Sequence, residues 1–93
     1  MEKGGAAMVA KEWTVRIRLD EEGDDTTARA TLTTGDGSEV TGTGQARRNP
    51  ADAAVPEIGD ELAASRALAD LAGKLAIITN QDIADSPPAN RSW

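Results

Sequence analysis

Cysteine and histidine are absent from this 93-residue sequence, and its only aromatic residues are two tryptophans. Without cysteine the chain has no disulfide, no thiolate ligand for zinc and no cysteine nucleophile. Without histidine it also lacks the commonest general base and metal ligand. Most known catalytic arrangements are therefore excluded, and we predict a non-enzymatic protein with no cofactor and no metal site.

Large apolar side chains are also scarce. Six leucines, five isoleucines and four valines, with no phenylalanine, make up 15 of the 93 residues. At that fraction disorder is expected unless the residues follow a clear periodicity. A chain of this length forms one small domain at most. Since alanine supplies much of the remaining apolar content, the core must be thin.

Basic residues are outnumbered by acidic ones, ten to sixteen, which gives a net charge of −6. Such a charge favours solubility and opposes non-specific binding to nucleic acid or to anionic membranes. The sequence shows no apolar segment of the kind found in signal peptides or in membrane-spanning helices. We expect a soluble, cytoplasmic protein that does not bind membranes.

Three segments alternate between apolar and polar residues with the period of two that is typical of half-buried strands. Their apolar faces are Trp13, Val15, Ile17 and Leu19 in the first, Ala28, Ala30 and Leu32 in the second, and Val40, Gly42, Gly44 and Ala46 in the third. Turns are predicted at the acidic stretch from Asp20 to Asp25 and at 35–37, so the strands form an antiparallel meander. The two inward glycines indicate close approach of another element, and we expect Trp13 to anchor the core.

A helix is predicted after an irregular loop at residues 49–56, with Asp60 as its N-cap or first-turn acid. Spacings of three and four residues gather an apolar stripe that we expect to face the sheet: Leu68, Leu71, Leu75 and Ile78. A charged row is expected to face solvent: Arg66, Asp70 and Lys74. Thr79 and Asp82 are predicted to cap one further short helical turn.

These elements predict an α+β fold, a three-stranded antiparallel sheet packed on one C-terminal helix, with a short extra terminal helix. The single domain is predicted to occupy residues 11–84. A flexible arm at 1–10 and a flexible tail at 85–93 are expected on either side of it.

If the Trp13 face points inward, the opposite face of the sheet carries four arginines among threonines: Arg16, Arg18, Arg29 and Arg47. Only Asp20 and Glu39, at strand ends, are expected to add negative charge there. The arginines are the candidate partner-binding residues, and they suit either an acidic protein surface or a phosphate backbone. Because this face has no aromatic side chains on which bases could stack, we favour a protein contact or simple solvent exposure over nucleic acid.

Two further features each allow two interpretations. The acidic stretch from Asp20 to Asp25 is predicted to be a solvated turn, with a site for a hard cation such as calcium as the alternative. Beside the leucine stripe, the helix carries a broad apolar shoulder that is either a partner or self-association surface or a product of helix propensity alone. The members of this shoulder are Ile58, Leu62, Ala69, Ala72 and Ala76.

Three blocks of residues resemble a family of small uncharacterised actinobacterial proteins, and the resemblance spans Lys11 to Ile83. The blocks are Trp13-Thr14-Val15, Gly42-x-Gly44-x-Ala46-Arg47-x-Asn49-Pro50-x-Asp52 and the segment from Pro56 to Leu71. The resemblance implies an α+β fold similar to the double-stranded-RNA-binding domain, and it implies no activity. RNA-binding members of that fold place lysines at the start of the last helix, where this chain has Glu57, Asp60 and Glu61.

The sequence therefore favours a small non-enzymatic interaction or regulatory module that binds a protein partner or a second copy of itself. Open strand edges and a thin core both favour self-association, because each would gain from the burial of more surface. Weak nucleic-acid binding through the four arginines is the alternative.

Overall fold

The computed structural model describes residues 8–86, which contain three strands and one helix. The strands are β1 (Thr14–Glu22), β2 (Asp25–Thr33) and β3 (Glu39–Arg47), and the helix is α1 (Pro56–Asp85). The strands form an antiparallel sheet in the order β1-β2-β3, with α1 packed on one face. The predicted α+β fold is confirmed. The predicted arm at 1–10 and tail at 85–93 lie largely outside the described residues.

The turn between β1 and β2 is shorter than the sequence predicted. Only Gly23 and Asp24 separate the two strands, since Glu22 pairs with Asp25. Gly23 has a φ of 61°, a left-handed conformation that glycine adopts without steric cost. Because two residues suffice for the turn, most of the acidic stretch belongs to the strands, and the predicted long solvated turn is wrong.

The turn between β2 and β3 is held by the side chain of Asp36. Its Oδ1 atom accepts hydrogen bonds from the hydroxyl of Thr34 and from the N–H of Ser38. These bonds stabilise the carboxylate and lower the pKa of Asp36 to about 2. The turn thereby fixes the register that places Thr33 opposite Glu39.

The helix begins four residues before the predicted N-cap. Pro56 occupies the first turn, where its missing N–H costs no helical hydrogen bond, and Val55 is the N-cap residue. Val55 makes no side-chain capping bond. Asp60 therefore lies inside α1 and does not cap it, because the fixed φ of the proline starts the helix earlier.

The helix also continues past the predicted break at Thr79. The hydroxyl of Thr79 donates to the carbonyl oxygen of Leu75 at 2.9 Å, so it bonds backwards along the helix and does not cap a new turn. The helix runs on without interruption to Asp85. The short extra turn expected around Asp82 is thus the last part of α1.

The core between sheet and helix is built mainly from alanine side chains. Its buried apolar members are Ala28, Ala30, Leu32 and Ala46 from the sheet and Ala63, Ala67 and Leu71 from the helix. Half-buried Val40 and Leu75 pack against this cluster. Because alanine side chains are short, their atoms make contact only if α1 lies very close to the sheet.

Gly42 and Gly44 of β3 permit this close approach, as the sequence predicted. A Cβ atom at Gly44 would lie 2.5 Å from the carbonyl oxygen of Ala63. One at Gly42 would lie 2.8 Å from the Cα atom of Leu71. Both distances are far shorter than van der Waals contact, so the backbone of α1 occupies the space that side chains on β3 would need.

The helix is rotated about its axis relative to the predicted leucine stripe. Leu71 is buried and Leu75 half-buried, as expected, but Leu68 and Ile78 are exposed. The buried side of the helix is instead centred on Ala67, because only a small side chain there lets the helix backbone reach the glycines of β3. A stripe chosen by hydrophobicity alone therefore predicted the wrong side of α1 as the centre of its contact with the sheet.

Trp13 does not anchor the core. It precedes the first residue of β1, Thr14, and keeps 51% of its surface exposed. A fully buried tryptophan would stabilise the fold by about 3–5 kcal/mol, and a half-exposed one stabilises it by much less. The prediction was wrong because α1 packs mainly over β2 and β3 and makes few contacts with β1.

Three charged residues of α1, which we call the edge clamp, form hydrogen bonds with the outer edge of β3: Arg66, Asp70 and Lys74. The arginine donates from Nη1 to the carbonyl oxygen of Gln45 at 2.7 Å. The aspartate accepts the N–H of Thr43 through Oδ2 at 2.9 Å, and the lysine donates from Nζ to the carbonyl oxygen of Thr41 at 2.8 Å. This row was predicted to face solvent, but it satisfies backbone groups that an edge strand leaves unpaired.

Replacing Gly44 with valine is expected to destabilise the protein more than replacing Thr43 with valine. Valine favours strands at both positions, but at 44 its side chain would push α1 away, whereas at 43 it would point into solvent. The loss at 44 should reach or exceed the about 1–3 kcal/mol that is typical of overpacking, because the obstacle is helix backbone. Urea unfolding followed by circular dichroism measures the difference. Equal midpoints for the two variants would contradict the assigned faces.

The edge clamp is expected to make stability depend on pH. The N–H of Thr43, followed by Lys74, lowers the pKa of Asp70 below its ordinary value of 3.8. A carboxyl with a lowered folded-state pKa stabilises the fold fully above its unfolded-state pKa, and the contribution disappears as pH falls through the folded-state pKa. Asp70→Ala should therefore lower the melting temperature near neutral pH, and the difference from wild type should shrink in acid.

The matched control for this experiment is Asp82→Ala, which removes an exposed carboxylate from the same helix. It should change the melting temperature less than Asp70→Ala does near neutral pH. Equal effects of the two substitutions, or a loss at position 70 that persists in strong acid, would contradict the role assigned to Asp70.

Candidate interaction surface

The apolar side chains of β1 lie on the helix side of the sheet, but the helix does not cover them. Val15, Ile17 and Leu19 pair with three residues of β2 whose side chains are buried under α1. Because directly paired residues of antiparallel strands point to the same face, these three side chains also face the helix layer. They are nevertheless between 38% and 44% exposed. We call them the open apolar row.

One side of α1 borders this row. Successive helix residues are about 100° apart around the axis. Arg66 reaches the outer edge of β3 and Ala67 is buried over the sheet, so Leu68 lies on the side that faces β1. Leu68 is 41% exposed. The open apolar row and Leu68 together form an apolar surface beside the helix.

The two edges of the sheet differ. At the outer edge of β3, the edge clamp binds alternate backbone groups. At the other edge, β1 is the last strand of the sheet, and within residues 8–86 no further strand pairs with it. An unpaired edge presents a row of N–H and C=O groups that can bind another strand.

The four candidate arginines lie together on the face of the sheet opposite α1. Arg18 pairs with Arg29 across β1 and β2, and Arg47 pairs with Asp25 across β3 and β2. Arg18 Nε is 3.3 Å from Asp20 Oδ2, and Arg47 Nε is 3.7 Å from Asp25 Oδ1. These side chains are mostly exposed, so the ion pairs contribute little to stability.

This face is not locally basic, contrary to the sequence prediction. Because β1 and β2 extend into the acidic stretch, Glu22 and Asp25 join Asp20 and Glu39 on it. Four carboxylates therefore accompany the four guanidinium groups. The assignment of these arginines as partner-binding residues stays a prediction.

A cavity of about 270 Å³ lies between the β1–β2 turn and the start of α1. Its lining includes the ion pair of Arg48 and Asp24, whose Nη2 and Oδ1 atoms are 2.5 Å apart. Arg48 also donates to the carbonyl oxygen of Asp52. These two bonds use two of the five N–H donors of its guanidinium group. Within residues 8–86, no cluster of three acidic side chains has the arrangement that a metal ion needs.

The apolar shoulder of the helix is exposed along its whole length: Ile58, Leu62, Ala69, Ala72 and Ala76. Ile58 and Leu62 also line the cavity at the start of α1. Within residues 8–86, α1 lacks the apolar length that a bilayer-spanning helix requires.

The chain is similar to proteins from mycobacteria. The uncharacterised protein Mb1767 of Mycobacterium bovis is 47% identical over 75 residues, which are 81% of this chain and 79% of that protein. The uncharacterised protein Rv2632c of Mycobacterium tuberculosis is 43% identical over 75 residues, 81% of this chain and 80% of that protein. The crystal structure of Rv2632c matches with a TM-score of 0.78 at 39% identity, covering 88% of this chain and 100% of that one.

These relatives confirm the resemblance to a family of small uncharacterised actinobacterial proteins, and the crystal structure has the same sheet and helix arrangement. A family model described as Rv2632c-like matches residues 11–90. With most of its length matched, the chain belongs to the Rv2632c-like family.

Proposed function

We propose that this chain is a non-enzymatic interaction module that binds an extended protein segment by adding it as a strand at the outer edge of β1. One observation carries the proposal. The edge clamp occupies the β3 edge, whereas the β1 edge is unpaired within residues 8–86 and adjoins the open apolar row.

Strand addition supplies two kinds of interaction. Backbone N–H and C=O groups of the edge give affinity, and alternate side chains of the added strand give specificity. A strand added beside β1 would lay every second side chain against Val15, Ile17 and Leu19. Those three side chains keep exposed apolar surface, and its removal from water on binding is favourable.

The charged groups with lowered pKa values fit a structural role. The carboxyl of Asp36 is held by the turn that joins β2 and β3, and that of Asp70 is held by the edge of β3. Each shift therefore arises from bonds that maintain the fold, which supports a binding module over an enzyme. The cytoplasmic location expected from the sequence stays a prediction.

Ile17→Lys is expected to abolish strand addition without unfolding the chain. Ile17 is 38% exposed in the isolated chain, so a lysine ammonium can reach solvent there, but a strand added at the edge would bury or crowd the charge. The matched control is Thr43→Lys, which places the same charge on the exposed face of β3.

The measurement is affinity capture on the immobilised chain and on both variants, with circular dichroism to show that each is folded. A bound protein should be retained by wild type and by Thr43→Lys and lost from Ile17→Lys. Equal retention by the two variants would reject the β1 edge as the binding surface.

Nucleic-acid binding is the second candidate, since the structure does gather the four arginines on one face. We nevertheless expect no specific binding to duplex RNA at about 150 mM salt, because four carboxylates share that face and the net charge is −6. Fluorescence anisotropy with labelled duplex RNA tests this expectation. Sub-micromolar binding that is lost in Arg16→Ala and Arg18→Ala would favour the RNA function over strand addition.

A further inference from the structure

The backbone groups available at the β1 edge follow from the pairing of the sheet. The N–H of Thr43 points to Asp70, hence away from β2, so its partner Arg29 directs its backbone groups to β1. Arg29 pairs with Arg18, which therefore bonds to β2. Since the direction alternates along an antiparallel strand, Ile17 and Leu19 direct their N–H and C=O groups to the open edge.

The side chains on the opposite face of β1 carry a charge pattern that is complementary to its own reverse. Along the strand, the row is positive, positive, negative and negative: Arg16, Arg18, Asp20 and Glu22. An antiparallel copy of the same row presents these charges in the opposite order. When the two rows are centred on Leu19, Arg18 lies opposite Asp20, and Arg16 lies opposite Glu22.

We propose that the strand added at the β1 edge is β1 of a second copy of this chain, paired antiparallel about a two-fold axis at Leu19. This inference rests on the proposed function and names the partner for that surface. The product is a continuous six-stranded sheet with both helices on the same face, because directly paired residues of antiparallel strands share a face.

Two features favour a second copy over an unrelated strand. The register centred on Leu19 forms four pairs of unlike charge on the outer face, and each pair joins an arginine of one copy to an acidic residue of the other. No charged residue of this row lies opposite a like charge. On the helix face, the same register pairs Leu19 with Leu19 of the second copy and places Ile17 opposite Glu21, so the apolar surface that becomes buried is centred on Leu19. The interface is thus complementary in charge on one face and has an apolar centre at Leu19 on the other.

Charge reversal tests the pairing with two variants that each defeat self-association. Arg16→Glu with Arg18→Glu makes the row uniformly negative, and Asp20→Arg with Glu22→Arg makes it uniformly positive. Each double variant should dimerise about tenfold more weakly or worse than wild type, because four attractive pairs become repulsive. An equimolar mixture of the two should form a heterodimer, since the rows are then complementary. Sedimentation velocity of the full chain measures all four samples.

The matched control is Glu39→Arg, which reverses an exposed charge on the same face but on β3, and which should leave dimerisation unchanged. A monomeric wild-type chain overturns the inference, as does a dimer that survives both double variants. If the wild type is monomeric but still captures a protein that Ile17→Lys loses, the proposed strand addition stands and only the self-pairing fails. If neither association occurs, both proposals fail.

Discussion

The contact between the backbone of α1 and the two glycines of β3 determines the arrangement of everything else in this small fold. Because the glycines have no side chains to separate the helix from β3, α1 lies directly over β3 and the neighbouring strand β2. A helix is about 10 Å wide and strands are about 4.8 Å apart, so one helix covers about two of three strands. The third strand, β1, is left outside, and the same displacement brings the charged side of the helix within reach of the β3 edge.

This placement of the helix reverses the usual relation between side-chain size and burial. Alanines fill most of the buried core, whereas Val15, Ile17 and Leu19 remain partly exposed on β1. The close contact gains stability from dispersion between tightly packed atoms, but it buries little apolar area per residue. Three large apolar side chains of the sheet therefore remain available for association, which is the physical basis of the strand-addition proposal.

The sequence predicted the strands and their faces well, because a period of two depends only on the order of residues. It could not show which part of a face the helix covers. Trp13 and Ile17 were assigned to the core on parity alone, and parity carries no information about the width of the covering element. The helix rotation was missed for a related reason: the leucine spacing was the stronger hydrophobic signal, while the glycines of β3 selected Ala67 by size.

The candidate surface was also harder to predict than the fold. The four arginines were placed on the correct face, but the charge of that face depended on where β1 ends, and a two-residue turn brought Glu22 and Asp25 into the strands. The edge clamp has a recognisable charge pattern in the sequence, but hydrophobic periodicity alone does not show what these residues bind. A basic, acidic and basic residue at four-residue spacing matches the C=O, N–H and C=O groups of alternate strand residues.

That match also limits how the chain can change in length. Four helix residues rise about 6.0 Å and two strand residues about 6.6–6.8 Å, so three successive clamp bonds can form before the repeats drift apart. A single insertion between Arg66 and Lys74 would rotate one end of the clamp off the strand. This stretch of α1 therefore tolerates substitutions on its outer side far better than insertions or deletions.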